Sequence, residues 1–306
     1  LQFADIIVRD NLRPKRLITT DMLDVSRLKG LCPNHLGQTQ TVLIMHENQL
    51  SYPRREAERE DIHLGLTNLF SMWCSDLIWW NSQHHYDLFM SKAVPFVGLF
   101  PKRTPQDLIT RITARSVVLG LPIDLEELKP LRRDAGQTRP PGTLRVAWNH
   151  RMAHDKNPDL IFGRLAQLSA QGIACEIHLF GPRHEASPAV LDTLQVIDHG
   201  YGERSSYLKA LAECDVIVAD PGQEHFGLSV AEAVQLGLWP VLPNRLCYPE
   251  WIPQALQAQC LFDDEAGFTR LIEMAANEPG RRFPPVYDRF DAPTVVRQLC
   301  ARLSSG

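Results

Sequence analysis

Short apolar runs alternate with amphipathic stretches along the whole chain. Runs such as Thr41-Val42-Leu43-Ile44-Met45 and Asp215-Val216-Ile217-Val218-Ala219 are continuous, not alternating, and read as strands buried on both faces. In the first half this pattern predicts strands over 17–20, 41–45, 77–80 and 116–119, with helices over 22–31, 60–74 and 107–115. In the second half it predicts strands over 144–148, 174–180, 196–199, 215–219, 239–242 and 260–262. Helices over 158–172, 204–214, 228–236 and 268–276 fall between them. Asn157-Pro158 is a helix start signal, an N-cap followed by proline at the first helical position, and Gly237 closes the helix over 228–236. Strands that alternate with helices imply parallel sheets joined by crossover helices.

The two apolar series are separated by a charged and proline-rich seam that ends in Gln137-Thr138-Arg139-Pro140-Pro141-Gly142. It divides the chain into a first Rossmann-like domain over 1–123, a linker over 124–143, a second Rossmann-like domain over 144–280 and a helical tail over 281–306 that returns to the first domain. The expected architecture is α/β, two doubly wound domains facing one another. The chain opens on Leu1, without methionine, and goes almost directly into the strand-like Arg16-Leu17-Ile18-Thr19-Thr20, so a sequence entered partway through its first domain is expected.

Composition narrows the partners. With 306 residues the chain has room for two ordinary cores, and 32 Lys and Arg against 36 Asp and Glu give a formal charge of −4. That balance carries no global signal for nucleic acid, although a local basic patch is enough to bind it. The seven cysteines are scattered and form no C-x-x-C pair, which fits reduced thiols in a cytoplasm. No stretch approaches the ~18 apolar residues that a membrane span needs, and no signal peptide is visible, so a cytoplasmic protein with no membrane partner is expected.

The most informative segment follows the 215–219 strand: Pro221-Gly222-Gln223-Glu224-His225-Phe226-Gly227-Leu228-Ser229-Val230-Ala231-Glu232. A strand–loop–helix junction aims backbone N–H groups and the positive helix end at a ligand, which suits a diphosphate. Glu224 in the loop and Glu232 two turns into the helix can accept hydrogen bonds from sugar hydroxyls. Chance supplies about one such glutamate pair in a chain of this size, so the spacing alone is weak. A second junction strengthens it: the strand over 144–148 ends in Trp148-Asn149-His150-Arg151, and Asp155-Lys156-Asn157-Pro158 opens the next helix. Arg151 and Lys156 at the carboxyl end of a parallel strand can clamp a diphosphate. A lone arginine there is more often a solvated loop residue; two such junctions in one sheet favour the site.

In the first half, His46-Glu47-Asn48-Gln49-Leu50-Ser51-Tyr52-Pro53 follows a buried strand, and these polar groups are either a site or a hydrogen-bonded brace. His84-His85 reads as a solvated helix start. No D-x-D triplet, G-x-S-x-G elbow, G-x-x-x-x-G-K-[ST] loop or G-x-G-x-x-G fingerprint occurs, which argues against hydrolase, nucleoside triphosphatase and dehydrogenase chemistry. Asp263-Asp264-Glu265 reads as an acidic turn and no metal ligand set is expected.

The Glu224–Glu232 element with Arg151 and Lys156 upstream resembles the retaining family 4 glycosyltransferases of GT-B fold. More narrowly, the loop from His46 to Pro53, Asn81-Ser82, Trp148-Asn149-His150-Arg151, Asp155-Lys156-Asn157-Pro158, Pro243-Asn244-Arg245-Leu246 and Tyr248-Pro249-Glu250 are similar to the glycosyltransferase-like domain-containing protein 1 group, the tRNA-queuosine alpha-mannosyltransferases. The likeness runs over about 18–253. It implies two Rossmann-like domains with a cleft between them, GDP-mannose as co-substrate, queuosine at the wobble position of a tRNA as acceptor, and no metal cofactor. It implies donor binding by Asn149, Arg151, Lys156, Glu224, Phe226, Gly227, Leu228 and Glu232. Glu224, Lys156, Arg151 and His46 would carry catalysis, and His46, Glu47, Asn48, Gln49 and Tyr52 would face the acceptor. Candidates for an RNA-facing surface are Arg13, Lys15, Arg16, Arg54, Arg55, Lys102 and Arg103.

Two departures stand out. The family's N-terminal strand and Gly-Gly-Ser-His loop are absent. His225 stands where the family has an aromatic, and Ala219-Asp220-Pro221 replaces small hydroxyl residues. The alternatives are a family 4 enzyme with another nucleotide sugar and a small-molecule, lipid or polysaccharide acceptor, or a non-catalytic module that binds a nucleotide sugar or tRNA.

Overall fold

The computed structural model describes residues 1–51, 62–100, 105, 107–133, 142–183, 187–278 and 280–304. It resolves into two compact units, one of Leu1–Gly120 with Gln298–Gly306, the other of Leu121–Arg297.

The first unit is built on four parallel strands, β1 (Arg16–Thr20), β2 (Gln40–Met45), β3 (Leu77–Trp80) and β4 (Ser116–Val118), hydrogen-bonded in the order β1-β2-β3-β4. Strand order follows chain order, so the described strands wind in one direction. The core gathers Leu43 and Met45 from β2, Ile78 and Trp80 from β3, Leu69 and Met72 from the helix Ile62–Trp73, and Phe89. Trp80 is fully buried, edge-on to His85 and Tyr86 at 5.0 and 5.6 Å.

That packing corrects the reading of His84-His85. They open a sixteen-residue helix, Gln83–Gly98, and His85 is wholly buried. Ser82 caps this helix by accepting from the His85 N–H at 3.0 Å. The apolar stripe Phe89, Ala93, Phe96 was there to be read, but Pro95 inside the helix and the polar start obscured it. A further unforeseen helix, Gln2–Arg9, has no buried residue.

The second unit holds six parallel strands: β5 (Leu144–Trp148), β6 (Cys175–Leu179), β7 (Gln195–Asp198), β8 (Val216–Val218), β9 (Trp239–Pro243) and β10 (Leu261–Phe262). Their order is β10-β9-β8-β5-β6-β7. The chain therefore winds outward from β5 to β7, crosses back, and winds the other way from β8 to β10. The reversal falls between β5 and β8, whose loops leave in opposite directions and open a crevice at the carboxyl ends of the strands. The apolar runs are buried as their continuity implied: Val146, Ala147 and Trp148 in β5 and all of β8 are at most 1% exposed.

The ends of this unit differ from the expected seam. Asp124 caps the short helix Leu125–Leu128 by accepting from the Glu127 N–H, and Leu125 and Leu128 enter the second core. Two buried leucines at i and i+3 outweigh the charges around them. Residues 137–141 of the proline-rich seam lie outside the described residues, as do Tyr52, Pro53, Arg54, Arg55, Lys102 and Arg103. At the other end, Phe283, Tyr287 and Phe290 join the second core from irregular chain and a short 3-10 turn, Asp288–Phe290, and the last helix begins only at Ala292. Pro284-Pro285 bars a helix there. The cysteines are all free, five of them buried. Among the described residues no helix is long and apolar enough to cross a membrane.

Candidate functional site

The crevice between β5 and β8 is assembled by two loops that bond to each other. After β5 the chain passes Asn149-His150-Arg151 and makes a short 3-10 turn, His154–Lys156. Asn157 then takes a left-handed conformation (φ 52°) and hands the chain to the helix Pro158–Ala170. Its side-chain Nδ2 donates to the Asp220 carbonyl at 2.8 Å, and the Gly222 N–H donates to the Asp155 carbonyl at 2.8 Å. These two bonds tie the loop after β5 to the loop after β8. Gly227, left-handed at φ 76°, turns the second loop into the helix Leu228–Gln235. A side chain there would also press on the Tyr248 ring, 3.2 Å from where its Cβ would stand, so the position calls for glycine.

This frame brings Lys156 and Glu224 together: Nζ donates to Oε2 at 3.1 Å, and both side chains are more than four-fifths buried. The other oxygen, Oε1, accepts from the backbone N–H groups of His225 at 3.1 Å and Gly227 at 3.0 Å, with the Phe226 N–H at 3.5 Å. Burial raises the Glu224 pKa, but Lys156 overrides it by charge and hydrogen bond, and the carboxyl ends below its ordinary value. The amides of Phe226 and Gly227, expected beside the phosphates, are thus turned onto Glu224. The Phe226 ring lies in the core, edge-on to Phe290 at 5.1 Å.

Arg151 is the exposed cation of the pair, its side chain 62% accessible and Nη2 3.4–3.5 Å from Asp155. Asn149 is fixed by donating to the Ser229 carbonyl at 2.7 Å and to Tyr207 Oη at 3.3 Å. Leu228, the first residue of the helix, is 39% exposed. Glu232 does not stand free. Its Oε1 accepts from Arg204 Nη2 at 2.7 Å, and Arg204 also donates from Nε and Nη2 to the two oxygens of Glu127 at 2.8–3.1 Å. The bonds to Glu232 and Glu127 push the Arg204 pKa up. Glu232, Arg204, Asn149 and Tyr207 border an open hollow of about 350 Å³, walled further by Phe180 and His199.

Three residues escaped the sequence reading. Arg204 opens the helix Arg204–Ala212, and only its partners mark it out. Asp220, which the sequence reading saw as a departure, holds Arg164 Nη1 at 2.9 Å and also Arg245 Nη2, while Arg245 Nη1 reaches the Pro221 carbonyl at 2.7 Å. It thereby ties a cation from the loop after β9 to the loop after β8. His150 is buried, and its Nε2 has no hydrogen-bond partner. Burial first, then the Lys156 charge, pushes its pKa down to about 4.

The first-unit candidates divide between display and bracing. His46 and Glu47 are exposed, Gln49 is half-buried and Asn48 is fully buried. Asn48 Oδ1 accepts from the Ser51 N–H and hydroxyl at 2.9 Å, which makes it a loop brace. The His46 N–H donates to Asp21 Oδ1 at 3.0 Å, and its carbonyl accepts from Asn81 Nδ2 at 3.1 Å. Among the described residues no group of three or more His, Cys, Asp and Glu is placed to hold a metal ion.

The fold of the chain matches that of solved glycosyltransferases of GT-B architecture. Anabaena HepE, crystallised with UDP and glucose, superposes with a TM-score of 0.64 at 14% identity, over 100% of this chain and 82% of its own. Sucrose-phosphate synthase from Thermosynechococcus elongatus gives 0.63 at 12% identity, over 95% and 73%. At such identities the likeness shows the fold alone. Residues 1–123 match the tRNA-queuosine alpha-mannosyltransferase N-terminal family. The tRNA-queuosine alpha-mannosyltransferase of Drosophila melanogaster is 30% identical over 265 residues, 83% of this chain and 70% of that one. The chain belongs to the tRNA-queuosine alpha-mannosyltransferase family, and so to the glycosyltransferases.

Proposed function

We propose that this chain transfers mannose from GDP-mannose to queuosine in tRNA, with retention at the anomeric carbon and without a metal cofactor. The observation that carries the reading is the buried Lys156–Glu224 pair at the switch point, with Glu232 bordering the aromatic hollow beside it. Lys156 and Arg151 take the charge of the departing diphosphate, and the N-terminal end of the helix Leu228–Gln235 adds its dipole. Glu224 keeps its charge and accepts from hydroxyls of the transferred sugar. Glu232 accepts from the nucleoside ribose, sharing its carboxylate with Arg204. The acceptor hydroxyl attacks the face that the diphosphate leaves, and the leaving phosphate takes its proton. Protein groups then supply orientation and charge stabilisation.

Exposed His46 and Glu47, with Gln49, are the groups of the first unit assigned to the acceptor. Arg13 and Arg16, exposed and oriented through the Asn34 carbonyl and Gln40 Oε1, are candidates for the phosphate backbone of tRNA, with Lys15 between them. The test is incubation with labelled GDP-mannose and queuosine-containing tRNA, set against UDP-glucose and against tRNA lacking queuosine. Label should pass only from GDP-mannose to queuosine tRNA. Transfer from UDP-glucose, or to tRNA without queuosine, would overturn the donor or the acceptor respectively. GDP-mannose binding without turnover would leave a binding module.

A further inference from the structure

His199 lines the hollow beside Glu232, and behind it runs a hydrogen-bonded chain that the proposed reaction does not use. On β6, Glu176 Oε1 lies 2.8 Å from His178 Nε2 and 3.6 Å from Arg145 Nε, while its Oε2 accepts from Gln195 Nε2 at 2.8 Å. On the far side of the same imidazole, His178 Nδ1 lies 3.0 Å from His199 Nε2. The parallel register of β6 and β7 creates this line-up by pairing His178 with Ile197 and Leu179 with Asp198, one residue short of His199. The two imidazoles lie nearly parallel, 5.2 Å apart, and the His199 ring stacks flat on Phe180 at 4.6 Å and 2°.

The chemistry of the chain fixes its protons. A carboxylate beside an arginine only accepts, so His178 Nε2 carries a hydrogen. The His178 tautomer with its hydrogen on Nε2 has its lone pair at Nδ1, and His199 Nε2 donates to it. His199 is left with a lone pair at Nδ1. Burial, followed by the neighbouring His178, lowers the His199 pKa and keeps its ring neutral.

We propose that His199 is a specificity residue of the nucleotide site, accepting a hydrogen bond from the amino-bearing edge of a base seated in the hollow, with Glu176 and His178 as positioning residues that fix its tautomer. This assignment rests on the reading of the second unit as the nucleotide-sugar site. Guanine presents such an edge through its 2-amino group, which hypoxanthine lacks. The charged and titratable groups around His199 are Glu176, Arg145 and Asp198 on the strands and Arg204, Glu232, Tyr201 and Tyr207 around the hollow.

The experiment is calorimetric titration of the full chain with GDP, IDP and UDP. Wild type should bind GDP about tenfold more tightly than IDP, the scale of one unsatisfied acceptor. His199→Phe keeps the stack on Phe180 and should bring the GDP-to-IDP ratio to about one. Glu176→Gln still presents an acceptor to His178 and should keep the ratio, whereas His178→Leu should lose it with His199 in place. Melting curves verify that each variant is folded. Equal binding of GDP and IDP by wild type, or a ratio that survives His199→Phe, overturns the proposal. Failure of wild type to bind any of the three nucleotides overturns the nucleotide-site reading instead.

Discussion

Glu224 remains ionised in a buried place because Lys156 Nζ stands 3.1 Å from one oxygen and two backbone N–H groups stand within 3.1 Å of the other. Lys156→Ala should therefore lower kcat by about 10²–10³-fold, the scale of one lost preorganised donor, with the melting temperature only moderately changed. Unchanged turnover would remove Lys156 from the site. His150 sets a pH dependence. Its folded pKa of about 4 lies below the unfolded value of 6.5, so its contribution to stability is complete above pH 6.5 and is lost as pH falls from 6.5 toward 4. The loss is at most about 3 kcal/mol. Denaturant titrations between pH 7 and 4.5 should show a shallower fall for His150→Leu than for wild type. At this scale the sequence revealed residue types at strand ends, which is why Lys156, Arg151 and the two glutamates were legible. His150, Asp220 and Arg204 were not, since their roles depend on partners 6 to 77 residues away that only folding brings near.

The strands were readable because continuous apolar runs have one stable home, the interior of a parallel sheet, and β5 and β8 lie there as expected. Helices were harder. The 83–98 helix carries a proline and two histidines, and its buried face became evident only against Trp80. The seam after 123 was misjudged by composition, since two leucines decide where its first turn packs. That turn also matters to the site, because it delivers Glu127 to Arg204. Glu127→Gln should loosen Arg204 and with it Glu232, raising KM for the nucleotide sugar severalfold while kcat stays within about twofold, if Glu232 serves ground and transition states alike. A fall in kcat at unchanged KM would contradict the ribose assignment. Asn157→Ala loses the bond to the Asp220 carbonyl and strains a left-handed residue, so chemical denaturation should show a loss of about 2 kcal/mol. Asn157→Gly should recover the conformational part of that loss and not the hydrogen bond.

For the whole molecule, the six-stranded unit has the strand order of dinucleotide-binding folds, which directs attention to the β5–β8 junction before any residue is named. A ligand that binds only the folded chain raises its stability by RT ln(1 + [L]/Kd), about 2.7 kcal/mol at a hundredfold excess over Kd. GDP should accordingly raise the melting temperature with a logarithmic dependence on concentration, and Lys156→Ala should blunt the rise. With a formal charge of −4, tRNA must find a local cationic surface, and its affinity should drop steeply with added salt. Charge reversal at Arg13 and Arg16 should flatten that slope; an unaltered slope would move the surface elsewhere. The bonds from Asn157 to the Asp220 carbonyl and from Gly222 to the Asp155 carbonyl have a consequence beyond stability. They make two loops, some sixty residues apart in sequence, a single inherited part. In descendants of this chain, substitutions at 155–157 should appear in company with substitutions at 220–222.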